Sequence, residues 1–180
     1  KRAQIIGAEN VFDYSLGNPS VTAPAEFKQA LLDLIEKEDP MTLHGYSPTL
    51  GIPSVKTAIA ESLFCRFDMN YGPEHSFQVS AAAAAIAHAL RAVTVPGDEV
   101  LTFAPFFPEY HPYVDLTGAV LKVVPADTKS FQINFEAFEE MLGPRVAAVL
   151  VNTPNNPSGA VYSAETLTKL AEVLTRKAEQ

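Results

Sequence analysis

The feature that most constrains the fold is an alternation of short apolar segments with helical segments in the second half of the chain. The apolar segments EVLTFA, AVLKVVP and VAAVLVNTP carry apolar residues at consecutive positions rather than at every second one. Strands of this kind are buried on both faces, as in a parallel sheet that helices cover. The segments between them have helical spacing, so the sequence predicts an α/β fold with a mainly parallel sheet and helices on both faces.

Further elements are predicted around this alternation. PAEFKQALLDLIEKE, which begins at Pro24, and SVKTAIAESLFCRF, with Ser54 as N-cap, predict two helices, and LHGYSPTLGIP between them predicts a loop. SFQVS, at 76–80, predicts a short strand, and the alanine-rich segment after it predicts a helix. Ser163 is the predicted N-cap of the last helix. Residues 1–23 show no clear period and indicate an irregular arm.

Composition narrows the classes of partner. The 13 basic and 21 acidic residues give a net charge of −8 without a Lys/Arg cluster, which argues against nucleic acid and anionic membranes. The chain has no apolar run near the roughly 20 residues of a membrane span. A lone Cys65 and scattered histidines offer neither a disulfide framework nor metal-ligand spacing, so we expect no metal and a cytoplasmic protein.

Three loops at predicted strand ends have unusual sequences. In parallel sheets, ligands bind beyond the carboxyl ends of the strands. The alanines from Ala81 onwards would let a phosphate approach a helix N-terminus, or would serve tight packing on the sheet. One of the two aromatics in APFFPEY could face a planar ring, or both could be core residues. NTPNNPSG presents side-chain amides, or is an Asn/Pro turn before an N-cap.

Taken in order, four stretches resemble the N-terminal half of class I/II aminotransferases of the aspartate aminotransferase type, which use pyridoxal phosphate (PLP). They are SLGNPS, GYSPTLGIPSVKTAIAESL, VSAAAAAIAHALRAVTVPGDEVLTFAPFFPEY and VNTPNNPSGAVYS. The resemblance implies the large domain of the PLP-dependent transferase fold type I, truncated. Residues 1–23 would be an arm or the start of the small domain, and 24–180 the first part of the PLP-binding large domain. The rest of the sheet and the C-terminal small domain would be absent.

The resemblance also implies roles for individual residues. Backbone N–H groups of Ala82 and Ala83 would bind the cofactor phosphate, Phe107 would stack on the pyridine ring, and Asn156 would hydrogen-bond its phenolic oxygen. Gly17 would lie near the substrate carboxylate. Tyr46 would reach the phosphate in the partner subunit of a homodimer.

The resemblance further implies cis peptide bonds before Pro105 and Pro157. Relatives usually carry Gly at the position of Ala81 and often a hydroxyl residue at that of Ala83. We therefore expect a backbone angle at Ala81 that tolerates a Cβ, and one phosphate contact fewer at Ala83.

For the parent protein the resemblance implies a PLP-dependent transfer of an amino group between an amino acid and a 2-oxo acid. The Schiff-base lysine of the family would lie beyond residue 180, so no catalytic residue is expected in this chain, and the chain alone would be inactive. A PLP-dependent C–S lyase or decarboxylase of the same fold and a non-catalytic fragment stay open. The effector domain of a transcription regulator is disfavoured, because we see no basic DNA-binding domain upstream.

Overall fold

The computed structural model describes residues 1–12, residue 17 and residues 21–179. The described chain forms two compact units, Lys1–Phe77 and Gln78–Gln180, and each is treated by itself. The predicted division at residues 23 and 24 stays a prediction. The motif SLGNPS lies outside the described residues apart from Gly17.

The first unit is helical. Its helices are α1 (Arg2–Ile6), α2 (Ala25–Lys37), α3 (Pro40–His44) and α4 (Pro53–Phe67), with single 3-10 turns at Ala8–Asn10 and Pro73–His75. Of the described residues in this unit, only Ala60 is buried. The apolar face predicted for α2 is present, but Phe27, Leu34 and Ile35 on it are exposed.

Three predictions for this unit are wrong in part or in full. The irregular backbone predicted for residues 1–23 is wrong at Arg2–Ile6, which form α1. The loop predicted at 43–53 is confirmed at 45–52, but its first two residues belong to α3, whose N-cap Asp39 accepts the N–H of Thr42 at 3.0 Å. Ser54 is not an N-cap: Pro53, with its fixed backbone angle, takes the first helical position, so Ile52 lies at the N-cap and Ser54 lies inside the helix.

The second unit alternates helices and strands as predicted. Its elements are α5 (Ala81–Val93), β1 (Glu99–Phe103), α6 (Tyr110–Asp115), β2 (Val120–Val124), α7 (Phe135–Met141), β3 (Val146–Leu150) and α8 (Ala164–Ala178). The strands form a parallel sheet in the order β2-β1-β3. Ser163 caps α8, as predicted, because its hydroxyl oxygen accepts the N–H of Thr166 at 3.1 Å.

The prediction of a strand at 76–80 is wrong for the described residues. Ser76 and Ser80 have extended backbone angles, which is why the pattern suggested a strand. A strand also needs a hydrogen-bonded neighbour, and the sheet of the described chain contains only β1, β2 and β3.

The central strand β1 is buried along its whole length and packs on helices on both sides. On one face, Leu101 and Phe103 join a cluster with Phe138 of α7 and Leu170 of α8. On the other face, Val100 packs in a cluster with Leu90 of α5, Val114 of α6 and Ala119. Burial of a side chain of the size of valine, leucine or phenylalanine contributes about 1.5–3 kcal/mol to the free energy of unfolding. The predicted α/β sheet with helices on both faces is confirmed.

An ion-pair group holds the amino ends of the three strands. Glu99, at the start of β1, is 7% exposed, and its Oε1 lies 3.1 Å from Nζ of Lys122 in β2 and 2.8 Å from Nη2 of Arg145 before β3. The hydrogen bond to Lys122, with help from Arg145, holds the pKa of Glu99 below its usual range against the effect of burial. No helix in the described part of the chain is both long and apolar enough to cross a membrane.

Candidate functional site

The amino end of α5 carries backbone N–H groups that no side chain caps. Ser80 occupies the N-cap position without a side-chain hydrogen bond, in contrast to the capping Ser163 of α8. Ala82 and Ala83 in the first turn are exposed. The first N–H groups of a helix have no partner inside it and lie at the positive end of its dipole. This end of α5 therefore offers donors that suit an anion and small side chains that leave room for one.

Ala81, the first residue of α5, has an unusual backbone conformation. Its φ is +64°, in the left-handed region that favours glycine. The expectation of an angle that tolerates a Cβ is therefore wrong, because a Cβ in this region costs about 1–2 kcal/mol. The chain keeps the turn into the helix that a glycine would make, at the cost of strain.

The turn 94–98 joins the carboxyl end of α5 to β1. It thereby directs the amino end of α5 toward the carboxyl edge of the sheet. The Thr94 hydroxyl donates to the Leu90 carbonyl, and the Asp98 carboxylate accepts the N–H of Val95, both at 2.8 Å. Gly97, with a φ of +94°, lets the chain reverse before β1 begins. Because α5 ends where β1 starts and packs on its face, its amino end lies toward the end of the sheet where the strands finish.

An aromatic group follows β1 at the same edge. The peptide before Pro105 is cis, as predicted. Tyr110 is buried, stacks on Phe106 at 6.3 Å between ring centroids, and contacts the half-buried Phe107 edge-on at 5.9 Å. Burial raises the pKa of the Tyr110 hydroxyl above its ordinary value. The group presents part of the Phe107 ring beyond the end of β1.

A turn rich in asparagine follows β3. The peptide before Pro157 is cis, as predicted, and the peptide before Pro154 is a further cis bond that the sequence reasoning missed. Asn155 is buried, and its Oδ1 accepts from the N–H and the hydroxyl of Ser158 at 3.2 and 2.8 Å. The N–H of Asn155 donates to the Ala160 carbonyl at 2.8 Å. These bonds make the turn a closed unit.

Asn156 lies at the outer side of this turn. Its backbone N–H donates to Oδ1 of Asn152 at 2.8 Å. Its side chain is exposed, and no protein atom in the described part of the chain hydrogen-bonds the amide. The backbone of Asn156 is therefore fixed, while its side-chain amide is free to donate a hydrogen bond to a ligand oxygen.

The structure brings four of the six predicted site residues to one edge of one sheet. Neighbouring parallel strands end at the same edge, and Thr102 of β1 is in register with Leu150 of β3. The loops that carry Phe107 and Asn156 therefore begin side by side, and the N-terminus of α5, with Ala82 and Ala83, points to that edge.

The other two predicted residues, Gly17 and Tyr46, belong to the first unit. Both are exposed, and the relative exposure of Tyr46 is 108%. A Cβ at Gly17 would meet no described atom within 4 Å. Their roles stay predictions, as do those of the four residues at the sheet edge.

The residues that shape the turn after β3 were not found from the sequence. The roles of Asn152 and Asn155 depend on bonds that close over three to five residues inside an irregular turn. The repeated asparagines and prolines were the only signal, and that signal indicated a turn without its internal bonding.

A parallel α/β sheet with a bare helix N-terminus, an aromatic ring and a free amide at its carboxyl edge carries groups that suit the parts of a phosphorylated planar ligand. The family model for aminotransferases of class I and II matches residues 9–178, and the chain belongs to that family. The predicted resemblance is confirmed.

Solved structures and curated relatives agree with this family. The crystal structure of an aminotransferase from Eubacterium rectale superposes with a TM-score of 0.95 at 42% identity, over 99% of this chain and 45% of that one. The probable N-succinyldiaminopimelate aminotransferase of Mycobacterium tuberculosis is 34% identical over 93% of this chain and 41% of its own length. The probable aspartate/prephenate aminotransferase of Aquifex aeolicus is 32% identical over 91% of this chain and 41% of its own length.

The superposition on the Eubacterium rectale structure confirms the predicted aminotransferase fold type I. The chain spans less than half the length of the relatives it matches.

Proposed function

We propose that the whole protein is a PLP-dependent aminotransferase, which moves an amino group between an amino acid and a 2-oxo acid. The observation that carries the proposal is the convergence of three unlike groups on one edge of the sheet: a bare helix end, an aromatic ring and a free amide. Each group suits a different part of PLP, and the family match covers all three.

The amino end of α5 fits the phosphate of the cofactor. The backbone N–H groups of Ala82 and Ala83 would donate to phosphate oxygens, aided by the helix dipole. Alanine side chains leave the approach open, and both residues are exposed. Because Ala83 has no hydroxyl, we propose that phosphate binding relies on the backbone here, with one contact fewer than a serine or threonine would provide.

The loops after β1 and β3 fit the ring of the cofactor. Phe107 would contact one face of the pyridine ring, and Tyr110 holds Phe107 in place by its edge-on contact. The amide of Asn156 would donate to the phenolic oxygen on the ring. When bound, PLP withdraws electrons from the Cα of an amino acid and so eases removal of its proton. The donor from Asn156 would tune that withdrawal by stabilising negative charge on the oxygen.

The remaining assignments concern substrate and partners. We propose that Gly17 lets the backbone approach the carboxylate of the amino acid. We propose further that the protein is a homodimer in which Tyr46 reaches the phosphate in the partner subunit, a role that its full exposure allows. A cytoplasmic location is proposed from the composition and from an exposed free Cys65.

The test uses the full-length protein. Purified protein is loaded with PLP, and formation of 2-oxo acid is followed over a panel of amino acids, with and without a 2-oxo acid acceptor. We expect sustained product only when the acceptor is present. The matched control is the same protein stripped of PLP and then reloaded, which should lose and regain activity. Sustained release of ammonia together with a 2-oxo acid such as pyruvate, without an acceptor, would contradict the proposal and favour a lyase.

A further inference from the structure

The turn after β3 contains two asparagines that bind its backbone at different places. Asn155 closes the far side of the turn, because its carbonyl accepts the N–H of Gly159 at 2.7 Å and its N–H donates to the Ala160 carbonyl. Asn152, two residues beyond the end of β3, closes the near side through the N–H of Asn156 at 2.8 Å. Asn156 thus lies between two anchored points.

We propose that Asn152 is a positioning residue that sets the direction of the Asn156 side chain toward the ligand. The inference rests on the proposed function, since it assumes that the Asn156 amide serves a bound cofactor. The peptide between Asn155 and Asn156 is held at both ends, its carbonyl by the N–H of Gly159 and its N–H by the side chain of Asn152, and the direction of the Cα–Cβ bond of Asn156 follows from that peptide. Asn152 acts through Asn156 and makes no ligand contact of its own in this proposal.

The role differs from ordinary support of the fold. Asn156 is exposed, so when the acceptor on Asn152 is removed, water can take the freed N–H and the cost in stability is small. The cost appears instead in orientation, because the Asn156 side chain then samples directions that do not reach the ligand oxygen. Loss of Asn152 should therefore change the cofactor more than it changes the fold.

A neighbouring residue provides a matched control. The hydroxyl oxygen of Thr153 accepts the N–H of Tyr162 at 2.9 Å, so it too is a side-chain acceptor for a backbone donor of this turn. Its partner Tyr162 is buried in the core, where its ring contacts Phe103. Thr153→Val removes this acceptor without changing the shape of the side chain much. It should lower stability and leave the cofactor unchanged.

The test measures the pH midpoint of the visible absorbance of bound PLP in the full-length holoenzyme, together with the thermal transition of the PLP-free protein. Asn156→Ala should raise the midpoint by roughly one to two pH units, because a hydrogen bond to a charged oxygen is lost. Asn152→Ala should raise it by roughly half as much, with little change in the thermal transition. Asn152→Leu, which keeps the size of the side chain but has no acceptor, should behave alike and serves if the alanine variant folds poorly.

The double variant decides whether Asn152 acts through Asn156. If it does, Asn152→Ala adds no shift of the midpoint once Asn156 is alanine. Additive shifts, or an unchanged midpoint in Asn152→Ala beside a shifted one in Asn156→Ala, would overturn the inference alone. A wild-type protein that takes up no PLP would overturn the proposed function, and the inference with it.

Discussion

The ring of Phe107 meets the ring of Tyr110 edge-on, with centroids 5.9 Å apart and planes at 80°. Tyr110 is buried and Phe107 is half-buried, so one ring is fixed in the protein and holds the other at its surface. An edge-to-face contact orients an aromatic ring without covering all of it. The exposed part of the Phe107 ring is therefore available to a planar ligand in a fixed orientation.

This geometry predicts that Phe107→Leu weakens PLP binding. Loss of the ring contact should cost about 1–1.5 kcal/mol, which is roughly a five- to tenfold increase in the dissociation constant. The measurement is a PLP titration of the full-length, PLP-free protein. Phe106→Leu is the control, because Phe106 also contacts Tyr110 but has no proposed contact with the ligand. Equal weakening by both variants would refute the assignment of Phe107.

The left-handed conformation of Ala81 predicts that Ala81→Gly stabilises the protein. Glycine adopts a φ of +64° without steric cost, so the free energy of unfolding should rise by about 1 kcal/mol. The change is read from the urea midpoint of the full-length, PLP-free protein. Ala85→Gly in the same helix should have the opposite effect, a loss of about 1 kcal/mol. Destabilisation by both variants would show that Ala81 is not strained.

The absence of a hydroxyl at position 83 predicts that Ala83→Ser tightens PLP binding. A hydroxyl in the first turn of α5 would add one donor to a charged phosphate, and the dissociation constant should fall about tenfold. Ala85→Ser places the same group further along the helix and should change little. An unchanged constant for Ala83→Ser would argue against a phosphate at this helix end.

The buried carboxylate of Glu99 predicts a pH-dependent effect on stability. Lys122 and Arg145 hold its pKa below the usual 4.5 in the folded protein, so the stabilisation exists above that pH and is lost as the pH falls through the lowered pKa. Glu99→Gln should lower the thermal transition at pH 7 by about 2–4 °C, and the difference from wild type should shrink in acid.

The matched control for Glu99 is Glu61→Gln. Glu61 is exposed in the middle of α4 and belongs to none of the ion pairs found among the described residues. This control variant should change the temperature of the thermal transition by no more than about a degree at either pH. A constant difference between wild type and Glu99→Gln from pH 7 down to strongly acidic pH would contradict the ion-pair account.

The structural features that depend on neighbouring residues in the sequence were predicted correctly. The strands of consecutive apolar residues, the helices of apolar period and the Ser163 cap all depend on nearby residues, and all are present. The N-cap assigned to Ser54 failed because Pro53 competes for the start of that helix. The strand assigned to 76–80 failed because a strand also depends on a neighbour that its own sequence does not specify.

The candidate site also has parts that the sequence predicts and parts that only the fold determines. A helix end, an aromatic pair and an asparagine turn are visible in the sequence as separate signals. Their meeting at one edge follows from the parallel pairing of β1 and β3, which no single segment encodes. The bond from Asn156 to Asn152 is finer still, because it depends on how an irregular turn folds back on itself.

The central claim is tested most directly by the fate of the amino nitrogen. The full-length protein, loaded with PLP, is supplied with a ¹⁵N-labelled amino acid and an unlabelled 2-oxo acid, and the labelled products are identified. We predict that the label passes to the 2-oxo acid, giving one new amino acid for each donor consumed and no labelled ammonia. Label that appears as ammonia, with no new amino acid formed, would contradict the account.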